Sequence, residues 1–375
     1  MPSLRRNLLS LIFSAVIPAL SAQDTIKIGE YASLTGKEAS FGITSHQGVT
    51  LAIEEANVAG GVLGKKIELL AEDTQSKPGE SSTSVRKLIF RDKVVAVLGE
   101  IVSTRSLEAA PICQAAKIPM ISPGSTNVKV TETGNYIFRT CFIDSFPGTI
   151  LAKFALETLH AKRAALLSSV SSAYSVGLAK YIREGFTSGG GTIVIDPKYS
   201  EGDKDFKAQL TTIKAAAPDV IFAPGAYSEG ALIVKQAREL GITAPFVAGD
   251  SWESELFMEL GGKATEGVCI ASHFSNQDPS PRVQNFVVAY KKRWGGAMPD
   301  DTSALGYDAA LVLIDAIKRA GTTESSKLRD AIASTKNFDA VTGRITLNDK
   351  RDASKKAVIL TVKNGQFQFL KNVEP

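Results

Sequence analysis

From Thr25 onward the chain alternates between two textures. Short runs rich in aliphatic and β-branched residues come first: "TIKIGEY", "KIELLAED", "VVAVLGE", "IPMIS", "RAALLSS", "TIVIDPKY", "DVIFAPG", "PFVAGD" and "EGVCIAS". Between most of them lie segments of helical period, such as "HQGVTLAIEEAN", "GESSTSVRKLIFRD", "SVGLAKYIREGFTSG" and "KDFKAQLTTIKAA". Apolar positions there recur three or four residues apart, as in Phe206, Leu210 and Ile213. Strands alternating with helices predict βαβ units, hence an α/β fold with parallel sheets covered by helices on both faces. "VVAVLG" and "DVIFAPG" carry almost no polar alternation, as strands buried on both faces do.

The alternation pauses twice, near "RTCFIDSFPGT" (139–149) and near "ASHFSNQDPSPRV" (271–283). Enough strands lie on either side of the first pause to build two sheets. "DDTSALGYDAALVLIDAIKRAG" reads as an amphipathic helix stopped at Gly321. The last stretch, "GRITLNDKRDASKKAVILTVKNGQFQFL", reads as antiparallel strands with a turn at Asn364-Gly365.

A length of 375 residues suits two domains better than one core. Hydrophobic residues at 44% and charged residues at 22% are an ordinary globular mixture and exclude a low-complexity or collagen-like chain. The net charge of +4 falls to +2 without Arg5 and Arg6, since no acid precedes Asp24. That leaves no electrostatic footprint for nucleic acid. Those two arginines precede "LLSLIFSAVIPAL" and the small residues "SAQD". Charge, a short apolar run and small residues predict a cleavable secretory signal over 1–22, with the exported chain beginning near Ala22 to Asp24. Cys113, Cys141 and Cys269 are widely spaced and form neither a disulfide framework nor a metal pattern. They read as buried thiols, with one bridge open in an oxidising compartment.

Signatures of chemistry are missing. "AGGVLGKK" comes nearest a phosphate loop, but Ala59 replaces the first glycine and Lys66 the hydroxyl. No G-x-G-x-x-G comes after the first strand, and "GDSWE" lacks the closing glycine of a nucleophile elbow. His46, His160 and His273 are too far apart to form a ligand pair and read as ordinary surface or core histidines. A hydrolase using Ser103 or Ser125 would lack a partnering histidine. No cofactor or metal is called for, and a non-enzymatic role is expected.

Ligands of parallel α/β sheets sit beyond the carboxyl ends of the strands. The strand ends here lead into Ser103-Thr104, then Gly124-Ser125-Thr126, then Tyr174, Tyr227 and Asp250-Ser251-Trp252. Ser103 and Thr104 would open a helix, where free N–H groups and the dipole attract an anion. Each has a plainer reading: Ser103 or Thr104 as a helix cap, Ser125 and Thr126 as turn residues, Asp250 as the cap of "SWESELFMEL". Together, hydroxyls at a helix N-terminus and an acid among aromatics suit a zwitterion, whose carboxylate needs donors and whose ammonium needs acceptors. About four charge-assisted bonds at roughly 1.5–3 kcal/mol each would support micromolar capture.

The motifs "IKIGEYASLTGKEASFGITSHQGVTLAIEEAN", "APICQAAKIPMISPGST", "EGDKDFKAQLTTIKAAAPDVIF", "KQARELGI" and "LGYDAALVLIDAIKRAG" resemble, in order and over nearly the whole exported chain, the solute-binding proteins of branched-chain amino acid ABC transporters. The resemblance implies two doubly wound lobes joined by a three-segment hinge, closing like a flytrap. The first lobe would take 24–143 with 275–348, and the second 144–274 with 349–375. It further implies a carboxylate-binding serine at Ser103, amino- and carboxylate-holding groups at Gly124 and Thr126 with Ser125 between, and a second-lobe tyrosine at Tyr174. Asp250 stands for the ammonium-pairing acid, where well-known members have Glu, and Phe41 for the first-lobe aromatic beside the ligand side chain. Ala226 takes the register of another tyrosine, with Tyr227 beside it, and Trp252 would fill part of the pocket. A monomer delivering an amino acid to an ABC permease from the periplasm is the implied function. Amides, urea and aromatic acids, bound by relatives or sensors of the same fold, stay open as alternatives.

Overall fold

The computed structural model describes residues 25–373, so the expected signal segment lies outside the described residues. The first lobe is built on five parallel strands: β1 (Ile26–Ala32), β2 (Ile67–Asp73), β3 (Ala96–Leu98), β4 (Met120–Ser122) and β5 (Ile137–Arg139). Their order is β2-β1-β3-β4-β5. The second lobe uses β6 (Arg163–Leu166), β7 (Thr192–Ile195), β8 (Val220–Phe222), β9 (Phe246–Ala248), β10 (Cys269–Ser272), β11 (Ala357–Lys363) and β12 (Gln366–Val373). Its order, β7-β6-β8-β9-β10, repeats that of the first lobe, and the hairpin β11-β12 is added antiparallel beyond β10.

The repeated order leaves a switch point beside the first strand of each sheet, where helices leave on opposite faces and a crevice opens. Every stretch read as a strand contains one; "TIVIDPKY" is divided at Pro197, which cannot donate to a ladder. The sequence pattern did not predict β5. It is three residues long and ends on Arg139, a fully buried cation whose Nε lies 2.8 Å from Asp352.

The helix Asp301–Ala320 follows its pattern closely: Asp300 Oδ1 accepts the Ser303 N–H at 2.8 Å, and Gly321 ends it at φ 64°. Its apolar face packs against the helix Ala39–Val58, in the first-lobe core that Val49, Leu313 and Ile317 share with β1. The chain crosses between lobes after β5, after β10 and before β11. Ala353 pairs with Leu347 and sits in the first-lobe core, while Ala357 sits in the second-lobe core. All three cysteines are free and buried, and burial pushes the Cys113 and Cys141 thiols up to about 12.

Candidate functional site

The ends of β3 and β4 in one sheet and of β6, β8 and β9 in the other face a single cleft of about 660 Å³, its mouth included. The lobes touch around it. Tyr227 donates to the Lys37 carbonyl (3.0 Å), the Ser40 and Ser254 hydroxyls meet (3.0 Å), and the Phe41 and Tyr227 rings meet edge to face at 4.9 Å. Lys37 and Glu201 form an ion pair across one edge (3.3 Å).

Eight of the twelve residues singled out for the site in the sequence line this cleft: Phe41, Ser103, Gly124, Tyr174, Ala226, Tyr227, Asp250 and Ser251. Ser103 is the first residue of the helix Ser103–Ala116, and its hydroxyl accepts the Asn127 N–H (3.2 Å). Ser103 thus sets the start of that helix, where the first N–H groups lack intrahelical partners, in the cleft wall. From the other lobe, Tyr174 in the first turn of the helix Ala173–Ser188 donates its hydroxyl to Asp250 Oδ1 (2.8 Å). The other Asp250 oxygen lies 3.3 Å from His273 Nε2. Burial pulls His273 down to about 4, so the ring is neutral and stacks on Phe142, 3.6 Å between centroids. Burial, then Asp250, holds the Tyr174 phenol well above its ordinary value, which keeps it a donor. A Cβ at Gly249 would run into the Tyr174 hydroxyl, so this approach needs glycine.

The remaining four stand elsewhere. Thr104 faces the other lobe and accepts the Ala173 N–H at 3.1 Å, docking one helix start on the other. Ser125 turns inward, its hydroxyl donating to the Glu100 carbonyl (2.9 Å) and lying 2.7 Å from the Ser106 hydroxyl. Thr126 is fully buried behind the floor, and its carbonyl accepts the Asp144 N–H at 2.9 Å. Trp252, expected in the pocket, is fully buried in the second-lobe core, 5.0 Å from the Phe257 ring and against Gly230. Its indole N–H has no hydrogen-bond partner among the described residues, so the large apolar area of the ring is what its burial there gains. Asp250 is not a helix cap either: it opens a short 3₁₀ turn, and the Ser254 hydroxyl caps the helix Glu255–Gly261.

Comparison with known proteins places this architecture. The sequence profile of a family described as periplasmic binding protein matches residues 25–366. The chain belongs to this family. An amino acid binding protein of Pseudomonas aeruginosa is 31% identical over 334 residues, 88% of each chain. A crystal structure of a leucine binding protein, LivK, from Thermotoga maritima superposes with a TM-score of 0.90 at 38% identity, covering 94% of this chain and 99% of that one. The branched-chain amino acid transporter substrate binding protein LivJ of Streptococcus pneumoniae, solved with isoleucine, gives 0.89 at 34% identity over 94% and 100%.

The cleft of this periplasmic binding protein also holds groups that sequence reading missed. Glu38 lines it, buried and neutralised by Arg105, whose Nε lies 3.1 Å away. Lys37, Glu201, Asp301 and Leu305 line it as well. Glu38 lies six residues beyond the end of β1, nearer to its strand than Phe41 is to β1 or Tyr174 to β6, so that signal was available. Asp301 starts a helix whose cap and apolar face dominate its local pattern, and nothing local ties it to the other acids.

Proposed function

We propose that the chain is the substrate-binding component of an ABC transporter, capturing an α-amino acid with an apolar side chain and handing it to the membrane permease on the periplasmic side. The observation that carries this reading is the placement of Ser103 and Gly124 across one cleft from the Tyr174–Asp250 pair. A carboxylate set against Ser103 meets a hydroxyl and the N–H groups of a helix start. An ammonium set against Asp250 meets carboxylate oxygens, each with a lone pair beyond the one given to Tyr174 or His273. Phe41, Tyr227, Ile101 and Leu305 then offer apolar wall for the side chain. Because the two polar ends are served by different lobes, a bound zwitterion favours the closed arrangement over the open one.

The leucine binding protein of Thermotoga maritima and LivJ of Streptococcus pneumoniae with isoleucine support the same class of ligand. Calorimetric titration of the exported chain against the twenty amino acids, benzoate and urea is the direct test. Micromolar or tighter heat with an aliphatic amino acid is expected. In Asp250→Ala that affinity should fall by about a hundredfold, roughly 3 kcal/mol, because the buried ammonium loses its second-lobe carboxylate. Binding of benzoate with no amino acid response would replace this reading with capture of an aromatic acid.

A further inference from the structure

Asp301 opens the helix Asp301–Ala320 and lines the cleft from the first lobe, together with Thr302 and Leu305. It is 1% exposed, and its Oδ1 has no hydrogen-bond partner among the described residues. Its electrostatic surroundings are largely acidic: Glu253 and Asp250 from the second lobe and Asp300 from its own cap. Asp300 is occupied as a cap, and Glu253 Oε2 is itself without a partner among the described residues. Lys355 feels Asp301 more weakly than Asp308 and binds the Thr342 hydroxyl. A buried carboxylate with an open lone pair among other acids is costly unless a cation or proton arrives. Burial and these neighbours hold its carboxyl well above the ordinary carboxylate range.

Asp301 lines the same cleft as Asp250 and feels its charge, and the cleft is where a cation can enter. We propose that Asp301 is a second carboxylate for the ligand's ammonium, so that the amino group is clamped between Asp250 of one lobe and Asp301 of the other. This inference rests on the amino-acid reading above and sharpens it. The ammonium, with three donors, can serve both carboxylates at once. Without it, the closed form must carry protons on Glu253 and Asp301 to hold these acids near Asp250, so the empty protein resists closing and the ligand's charge removes that resistance. Asp301 thereby costs stability in the empty state and supplies affinity in the loaded one, a trade expected of functional groups.

The test takes wild type, Asp301→Asn and Asp301→Ala, each as the full exported chain. Calorimetry is run with the amino acid that wild type binds tightest, and melting is followed without ligand. Both variants should bind about tenfold more weakly, the loss of one charge-assisted bond. Their ligand-free melting temperature should hold or rise. Affinity that is unchanged or tighter in both variants overturns the proposal. So does a fall in affinity accompanied by lower ligand-free stability in both, which would mark Asp301 as structural. A wild type that binds no amino acid would defeat the amino-acid reading itself, and that failure shows before any variant is compared.

Discussion

The two lobes share one strand order yet bring different chemistry to the cleft. In the first lobe the buried acid Glu38 is neutralised within its own lobe by Arg105. At the floor that lobe offers a hydroxyl, main-chain groups and apolar surface from Ser103, Gly124 and Phe41. In the second lobe the acid is held by neutral partners, the Tyr174 phenol and the His273 ring, so the charge of Asp250 is left for something else to balance. A repeated framework therefore sets the strand ends of both lobes around one cleft, while the residues beyond each strand decide the chemistry each lobe brings to it.

This division of labour is challenged most forcefully at Trp252. If it belongs to the second-lobe core, Trp252→Ala should lower unfolding free energy by about 3–5 kcal/mol while leaving amino acid affinity at low temperature unchanged. Denaturant melts and calorimetry on one preparation give both numbers. A large affinity change with little loss of stability would return the indole to the pocket.

Two buried groups, one in each lobe, should answer pH in opposite directions. Burial lowers His273 from 6.5 to about 4, so as the pH falls the unfolded chain takes up this proton first. The stability tied to the neutral ring is full above pH 6.5 and lost as pH falls to 4, up to about 3 kcal/mol. In the first lobe, burial and the neighbouring Glu38 raise Glu100 from 4.5 to about 8. The folded chain then keeps a proton that the unfolded chain releases, and the associated stability is full below 4.5 and lost as pH rises through 8. Melting temperatures across this range should show a shallower acid limb in His273→Gln and a shallower alkaline limb in Glu100→Gln. Parallel curves for wild type and variants would remove the contrast.

The smallest effect is expected where the lobes merely touch. Tyr227→Phe keeps the edge-to-face contact with Phe41 but deletes the hydrogen bond to the Lys37 carbonyl. A neutral bond of this kind is worth about 1 kcal/mol, so affinity should fall about fivefold through a faster off-rate. Stopped-flow release of ligand measures it, and an unchanged rate would mean this contact does not hold the closed form.

Most of the framework was legible before any coordinates. Runs such as "VVAVLG" and "DVIFAPG" are apolar throughout because both sheet faces are covered, and that texture survives in sequence. β5 escaped because three residues are too few to show a pattern and Arg139 makes the run look polar; its partner Asp352 is more than two hundred residues away. At the site, strand ends named the correct loops but not the correct side chains within them. Ser103 lines the cleft while the adjacent Thr104 grips the other lobe, and Gly124 lines it while the adjacent Ser125 turns inward.

Local sequence was sufficient for the α/β class, the start of the helix at Ser103, the stop at Gly321 and the hairpin turn at Asn364-Gly365. These depend on periodicity, capping and turn conformation, which involve neighbours a few residues apart. Folding in three dimensions was needed to make Trp252 core, to set Thr104 on Ala173, and to bring Asp301 beside acids of the other lobe around one cleft. Side-chain direction and the meeting of two lobes depend on contacts between residues far apart in the chain, and no short window of residues encodes them.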